Sequence, residues 1–184
     1  MATTLYLVRH GHTKANHAFY ICGRLEYPLD CIGINQAQHC HTTISRLNFD
    51  AVYCSPARRT RETAHIVTSS LIKPNDIQYD ERLLESAFGN YEGSWGPFKS
   101  LHLWNYEQSY TKTHRGEETI LGLEIRVREF LEEIRAKHPD QTVLAITHGG
   151  VITMIDAILE DRPRTGQFFR HFHVDNGSIS VFYL

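Results

Sequence analysis

The chain has 184 residues, 41% of them hydrophobic and 22% charged, with a formal net charge of -2. That length suits one domain, residues 1–184, with a sizeable buried core. The charge balance argues against a general nucleic-acid binder, which usually carries a basic excess.

Residues 3–8 read as a buried strand that ends at the charged turn Arg9-His10-Gly11. Gly11 would let the backbone turn sharply and approach a ligand closely. Residues 19–30 have no period and form a loop containing Gly23, Arg24 and Pro28. Residues 33–47 are amphipathic and predict a helix. Residues 51–53 predict a second strand. Ser55-Pro56 then opens a helix that reaches about Leu71, with Ser55 as its N-cap. Residues 77–79 predict a third strand, and residues 82–96 an ordered, glycine-containing loop. Residues 98–110 are read as a helix. Residues 119–137 form the clearest helix, with Glu124 and Arg128 paired on its outer side. Residues 142–146 are another buried strand, and His148-Gly149-Gly150 leads into a helix over residues 151–160. Residues 168–174 and 178–183 predict two closing strands around Asp175-Asn176-Gly177. Strands alternating with helices imply an α/β fold: three layers, α/β/α, around a mostly parallel sheet with one antiparallel edge strand.

In open α/β sheets ligands bind at the carboxyl ends of the strands. Arg9-His10 follows the first strand, Arg58, Arg59 and Arg61 follow the second, and His148 follows the strand 142–146. Parallel neighbours would bring all three groups to one edge, beside helix N-termini whose free N–H groups favour anions. Arginine forks, histidines and helix N-termini suit a phosphate. A neutral imidazole can attack phosphorus, fixed donors can hold the phosphoryl oxygens, and a carboxylic acid such as Glu85 can protonate the leaving group. Each fragment alone is weak, since arginines at a helix start are usually a solvated face. Their ordered coincidence at strand ends makes chance a poor explanation.

Twelve histidines raise a metal site as a rival, but there is no His-Glu-x-x-His and no Cys/His cluster with zinc spacing. Four cysteines, Cys22, Cys31, Cys40 and Cys54, form no Cys-x-x-Cys and are read as reduced thiols. No stretch is apolar enough over a membrane-spanning length. A cytoplasmic protein without membrane or nucleic-acid partners is expected.

The segments Leu7-Val8-Arg9-His10-Gly11-His12-Thr13 with Asn16, Ser55-Pro56-Ala57-Arg58-Arg59-Thr60-Arg61-Glu62-Thr63-Ala64, Phe88-Gly89-Asn90-Tyr91-Glu92-Gly93 and Thr147-His148-Gly149-Gly150 closely resemble the histidine phosphatase superfamily. The similarity is to its phosphoglycerate mutase-like branch and spans nearly the whole chain. That resemblance implies His10 as the nucleophile that becomes phosphohistidine. It implies Arg9, Arg59 and His148 as the groups holding the phosphoryl oxygens, and Glu85 as proton donor and later base. Asn16 joins the phosphoryl-binding groups, and Gly11, Thr13, Gly23, Arg24 and Gly149 complete the expected substrate-binding set. No metal and no cofactor are implied. His12 departs from the commoner glutamine or glutamate, Glu62 from glutamine, Thr60 from alanine and Glu26 from aspartate. The compact segment 85–116 favours hydrolysis of a small phosphorylated metabolite over a cofactor-dependent phosphoglycerate mutase. A phosphate-binding regulatory module without turnover is the remaining alternative, and the oligomeric state is expected to be monomer or homodimer.

Overall fold

The computed structural model describes residues 2–71, 76–95, 111, 113, 116–162 and 174–184. Five strands form one sheet: β1 (Thr4–Arg9), β2 (Ala51–Cys54), β3 (Ile77–Tyr79), β4 (Thr142–Thr147) and β5 (Ile179–Tyr183), in the order β3-β2-β4-β1-β5. β1, β2, β3 and β4 pair in parallel, and β5 lies antiparallel on β1. The mostly parallel sheet with an antiparallel edge is as the alternation of elements predicted.

Alternation of side chains along the central strands divides the core. Leu5, Leu7, Val143 and Ala145 face one side, where they pack with Leu123, Val127, Phe130, Leu131 and Ile134 of α4 (Ile120–Lys137) and Ile152 and Ile155 of α5 (Gly149–Leu159). Val8, Val52, Leu144 and Ile146 face the other, against Ala37, Cys40 and Ile44 of α2 (Cys31–Ile44) and Ala64 and Val67 of α3 (Arg58–Val67). A strand buried on both faces reads as a continuous apolar run, and β4 supplies one in Val143-Leu144-Ala145-Ile146, between a half-buried Thr142 and a Thr147 whose hydroxyl donates to Leu83 O. Helices on both faces of the sheet complete the three layers.

Local boundaries differ from the sequence reading in informative ways. α2 starts two residues earlier than expected because Asp30 caps it, Oδ1 accepting from Gly33 N at 3.0 Å. It ends at Ile44, and α3 ends at Val67, followed by turns. The N-cap of α3 is Ala57, with no side-chain hydrogen bond, and Ser55 does not cap it. A single helical turn, α1 (Lys14–His17), is set by a capping box between Thr13 and Asn16. The loop 82–96 is ordered around two short 3₁₀ turns, Glu81–Leu83 and Gly89–Tyr91. α5 begins at Gly149, two residues before the expected start. Glu124 and Arg128 do pair, with Arg128 Nη2 donating to Oε1 at 2.8 Å, but Glu124 is buried rather than on the outer side. The helix expected over 98–110, and residues 168–173 of one closing strand, lie outside the described residues.

Candidate active site

The carboxyl ends of β1, β2 and β4 are neighbours in the sheet, so the groups that follow them converge. His10 follows β1 and is buried, its backbone N–H donating to Thr147 O at 3.0 Å. Its carbonyl accepts from Asn176 Nδ2 at 3.0 Å and from Gly177 N at 3.2 Å. Nδ1 lies 2.8 Å from Gly11 O. A carbonyl only accepts, so Nδ1 carries the proton and Nε2 presents its lone pair. Arg59 Nε donates to that nitrogen at 3.2 Å. Burial, then the positive field of Arg59 and Arg9, holds the His10 pKa well below the ordinary histidine value. The imidazole is therefore neutral near pH 7.

His148 follows β4 and is fully buried at the start of α5, where it caps nothing with its side chain. Arg59 Nη2 lies 3.1 Å from its Nδ1. A guanidinium only donates, so Nδ1 accepts, and Nε2–H donates to Ser55 Oγ at 2.8 Å. Burial, then Arg59, pushes the His148 pKa well down as well. The rings of His10 and His148 stand edge to face, 5.2 Å apart.

Arg59 joins these pieces. Of the three arginines at the start of α3, Arg58 bonds the exposed side of Glu62 at 2.8 Å and Arg61 stands 3.9 Å from Glu26. Arg59 alone turns inward, with 1% exposure. Besides the two imidazoles it donates from Nη1 to Leu25 O at 2.8 Å and from Nη2 to Gly23 O at 2.7 Å. No carboxylate lies within ion-pair distance of it among the described residues. Arg9 donates to Val174 O, and its buried Nε has no partner among the described residues. Burial lowers the Arg9 pKa, and Glu85 is the first group opposing that. A buried donor without an acceptor is costly, so the pocket as built calls for an anion.

Glu85 stands at the N-terminus of α5. Its Oε2 accepts from Gly150 N at 3.3 Å and its Oε1 from Ser86 N at 3.0 Å. A side chain at position 150 would put Cβ 2.3 Å from Glu85 Oε1, so Gly150 makes room for the carboxylate. Gly149 lies against the Arg9 guanidinium, 3.4 Å from an added Cβ to Nε.

The remaining expected residues are placed as follows. Thr13 is buried and spends its hydroxyl and N–H on Asn16 Oδ1, at 2.9 and 3.1 Å. Gly11 packs against Gly33, whose carbonyl oxygen would sit 2.4 Å from an added Cβ. Gly11 N donates to Thr63 Oγ1 at 3.0 Å. Gly23 adopts φ +49 and serves Arg59 through its carbonyl. The Arg24 side chain is half-exposed and 3.8 Å from Glu118. His12 is fixed by Asp30, Nδ1 to Oδ2 at 2.7 Å. Sequence reasoning missed Ser55 as a partner of His148. Its position after β2, parallel to that of His10 after β1 and His148 after β4, was the available signal. No group of three or more His, Cys, Asp or Glu residues suited to a metal occurs among the described residues. No helix among them is long and apolar enough to cross a membrane.

The chain is similar to known proteins over nearly its whole length. The family model described as the histidine phosphatase superfamily (branch 1) matches residues 5–184. The adenosylcobalamin/alpha-ribazole phosphatase of Escherichia coli is 30% identical over 183 residues, covering 96% of this chain and 88% of that protein. The metal-independent phosphoserine phosphatase of Arabidopsis thaliana is 29% identical over 188 residues, covering 99% and 76%. Among solved structures, Bacillus stearothermophilus YhfR superposes with a TM-score of 0.85 at 29% identity, covering 98% of this chain and 90% of that one.

Proposed function

The chain belongs to the histidine phosphatase superfamily (branch 1), and from that premise we propose that it hydrolyses a small phosphorylated metabolite in two steps through a phosphohistidine at His10. The observation that carries this reading is the pair of contacts that fixes the His10 ring, Nδ1 to Gly11 O at 2.8 Å and Nε2 to Arg59 Nε at 3.2 Å. The ring proton is committed to Gly11 O, so the nitrogen beside Arg59 holds a lone pair.

In the first step the phosphoryl group enters between Arg9, Arg59 and the two histidines. Its oxygens take over the Arg59 N–H groups that the two imidazoles accept in this structure. His10 Nε2 then forms a bond to phosphorus as the ester P–O bond breaks. Glu85 supplies the proton to the departing oxygen, which prevents an alkoxide from leaving as an anion. In the second step Glu85 takes a proton from water, the water oxygen bonds to phosphorus, and the P–N bond breaks to restore neutral His10. Arg9 and Arg59 hold non-bridging oxygens while charge redistributes, and His148 holds another once the incoming phosphoryl dianion draws a proton onto Nδ1 and turns that nitrogen into a donor. Asn16, whose Oδ1 is taken by Thr13, would offer its amide N–H groups to the same oxygens. Gly11, Thr13, Gly23, Arg24 and Gly149 line or brace the substrate-binding region. The substrate is a small phosphomonoester of the kind named for the relatives, which include phosphoserine and alpha-ribazole phosphatases. The enzyme works as one domain in the cytoplasm, as a monomer or homodimer.

The test is release of inorganic phosphate from 4-nitrophenyl phosphate and a panel of phosphorylated metabolites, in chelator, by the wild type and His10→Ala. Turnover that depends on His10 supports the reading. Turnover unchanged by His10→Ala overturns it, and isomerisation of 3-phosphoglycerate with little free phosphate overturns hydrolysis.

A further inference from the structure

Arg59 is a buried cation whose four contacts are all neutral, and its orientation depends on two loop carbonyls, those of Gly23 and Leu25. The peptide group that carries the Gly23 carbonyl also carries the Arg24 N–H. That N–H donates to Glu92 Oε1 at 3.1 Å. The same oxygen accepts from Phe88 N at 2.9 Å. We propose that Glu92 is a positioning residue for phosphoryl transfer, aiming Arg59 through the peptide between Gly23 and Arg24 and tying that peptide to the loop that carries Glu85. This rests on the reading of the pocket as a phosphoryl site.

The two ends of a trans peptide point in opposite directions. With its N–H held by the carboxylate, the Gly23 carbonyl is turned toward Arg59 Nη2. A hydrogen bond on one end polarises the peptide and strengthens the bond on the other. The chain of contacts runs from Glu92 through the peptide to Arg59, and from Arg59 Nε to the attacking nitrogen of His10. Gly23 has φ +49, and a Cβ there would meet Glu92 Oε1 at 2.1 Å, so the carboxylate lies directly on this peptide. The adjoining backbones are paired too, Gly93 N to Ile21 O at 2.9 Å and Ile21 N to Ser94 O at 3.0 Å. Those bonds fix the two segments side by side. Glu92 fixes the rotation of the one peptide that faces Arg59. The chemistry asks only for an acceptor at Oε1, so an amide can substitute for the carboxylate.

The experiment compares Glu92→Ala and Glu92→Gln in steady-state hydrolysis, with melting temperature and the upward shift in melting caused by inorganic phosphate recorded for each. Glu92→Ala is expected to lose about tenfold or more in kcat/KM, mainly in kcat, the size of one misplaced charge-assisted hydrogen bond. Glu92→Gln recovers most of that loss. Activity of Glu92→Ala within twofold of wild type overturns the proposal, as does Glu92→Gln as impaired as Glu92→Ala. A loss that disappears when rates are corrected for the folded fraction also overturns it, leaving a structural role only. Failure of the underlying reading looks different: wild type would show neither turnover nor a phosphate-induced shift.

Discussion

Replacing Arg59 by methionine separates the phosphoryl-binding role of this residue from its part in the fold. Methionine keeps an unbranched chain as far as the Nε position and removes every N–H. Two of the lost donors point at the His10 and His148 nitrogens, where phosphoryl oxygens would sit. A hydrogen bond to a charged group contributes about 1.5–3 kcal/mol, so two amount to about 3–6 kcal/mol in the transition state. That corresponds to a fall in kcat of about 10²- to 10⁴-fold. Stability responds differently. The Gly23 and Leu25 carbonyls lose their donor, which destabilises, but a buried charge without a carboxylate partner is also removed, which stabilises. The two effects oppose, and the melting temperature should move by no more than about 5 °C, since 1 kcal/mol corresponds to about 2–4 °C at this size. Inorganic phosphate at about 100 times its Kd should stabilise the wild type by about 2.7 kcal/mol, a rise of about 5–11 °C, and most of that rise should vanish in Arg59→Met. Steady-state kinetics and a thermal melt with and without phosphate measure both. Activity within tenfold of wild type, or an undiminished phosphate shift, would refute the reasoning.

Glu85→Gln should depend on the leaving group: alkyl phosphates, which need a proton, lose about 10²- to 10⁴-fold, whereas 4-nitrophenyl phosphate loses clearly less in a single-turnover burst. Equal losses for both would remove Glu85 as the acid. The pH dependence of stability has a definite sign. His10 and His148 both have folded-state pKa values depressed by burial and by Arg59, so the unfolded chain binds more protons below about pH 6.5. Their contribution is fully present above that pH and is lost as pH falls, by up to about 3 kcal/mol per pH unit for the pair. Denaturant titrations from pH 7.5 to 5.5 check this, and a flat profile would contradict the buried neutral pair. Ser55→Ala leaves the His148 Nε2–H buried without its acceptor, at a cost of about 1–3 kcal/mol. A neutral effect in chemical denaturation would show that the hydroxyl does not hold the ring.

The sheet and the gathering of Arg9, His10, Arg59 and His148 could be read in the sequence because each group directly follows an apolar strand or opens the helix after one. Parallel pairing then brings strand ends to one edge. The family resemblance implies Arg59 rather than Arg58 or Arg61, and the physical counterpart is helical period, since Arg59 and Thr63 lie four apart on the buried face of α3. Ser55 was misread because Ser-Pro is a local helix-start pattern, whereas its hydroxyl is spent on a residue 93 positions away. The crowding that requires a glycine at position 11 comes from Gly33, across the turn, a contact the sequence does not show. The contacts of Glu92 were not legible either. They depend on how two loops meet, and neither loop has a period from which that meeting could be inferred.

The central claim is that His10 is covalently phosphorylated during turnover. Rapid acid-free quenching of a single turnover with labelled substrate, followed by mass mapping of the phosphorylated peptide, tests it directly. The account predicts a transient, acid-labile phosphate on His10 in wild type, accumulating in Glu85→Gln when the labelled substrate is an aryl phosphate that needs no proton on leaving, and absent in His10→Ala. Full turnover with no phosphate on His10 at any time point would contradict it.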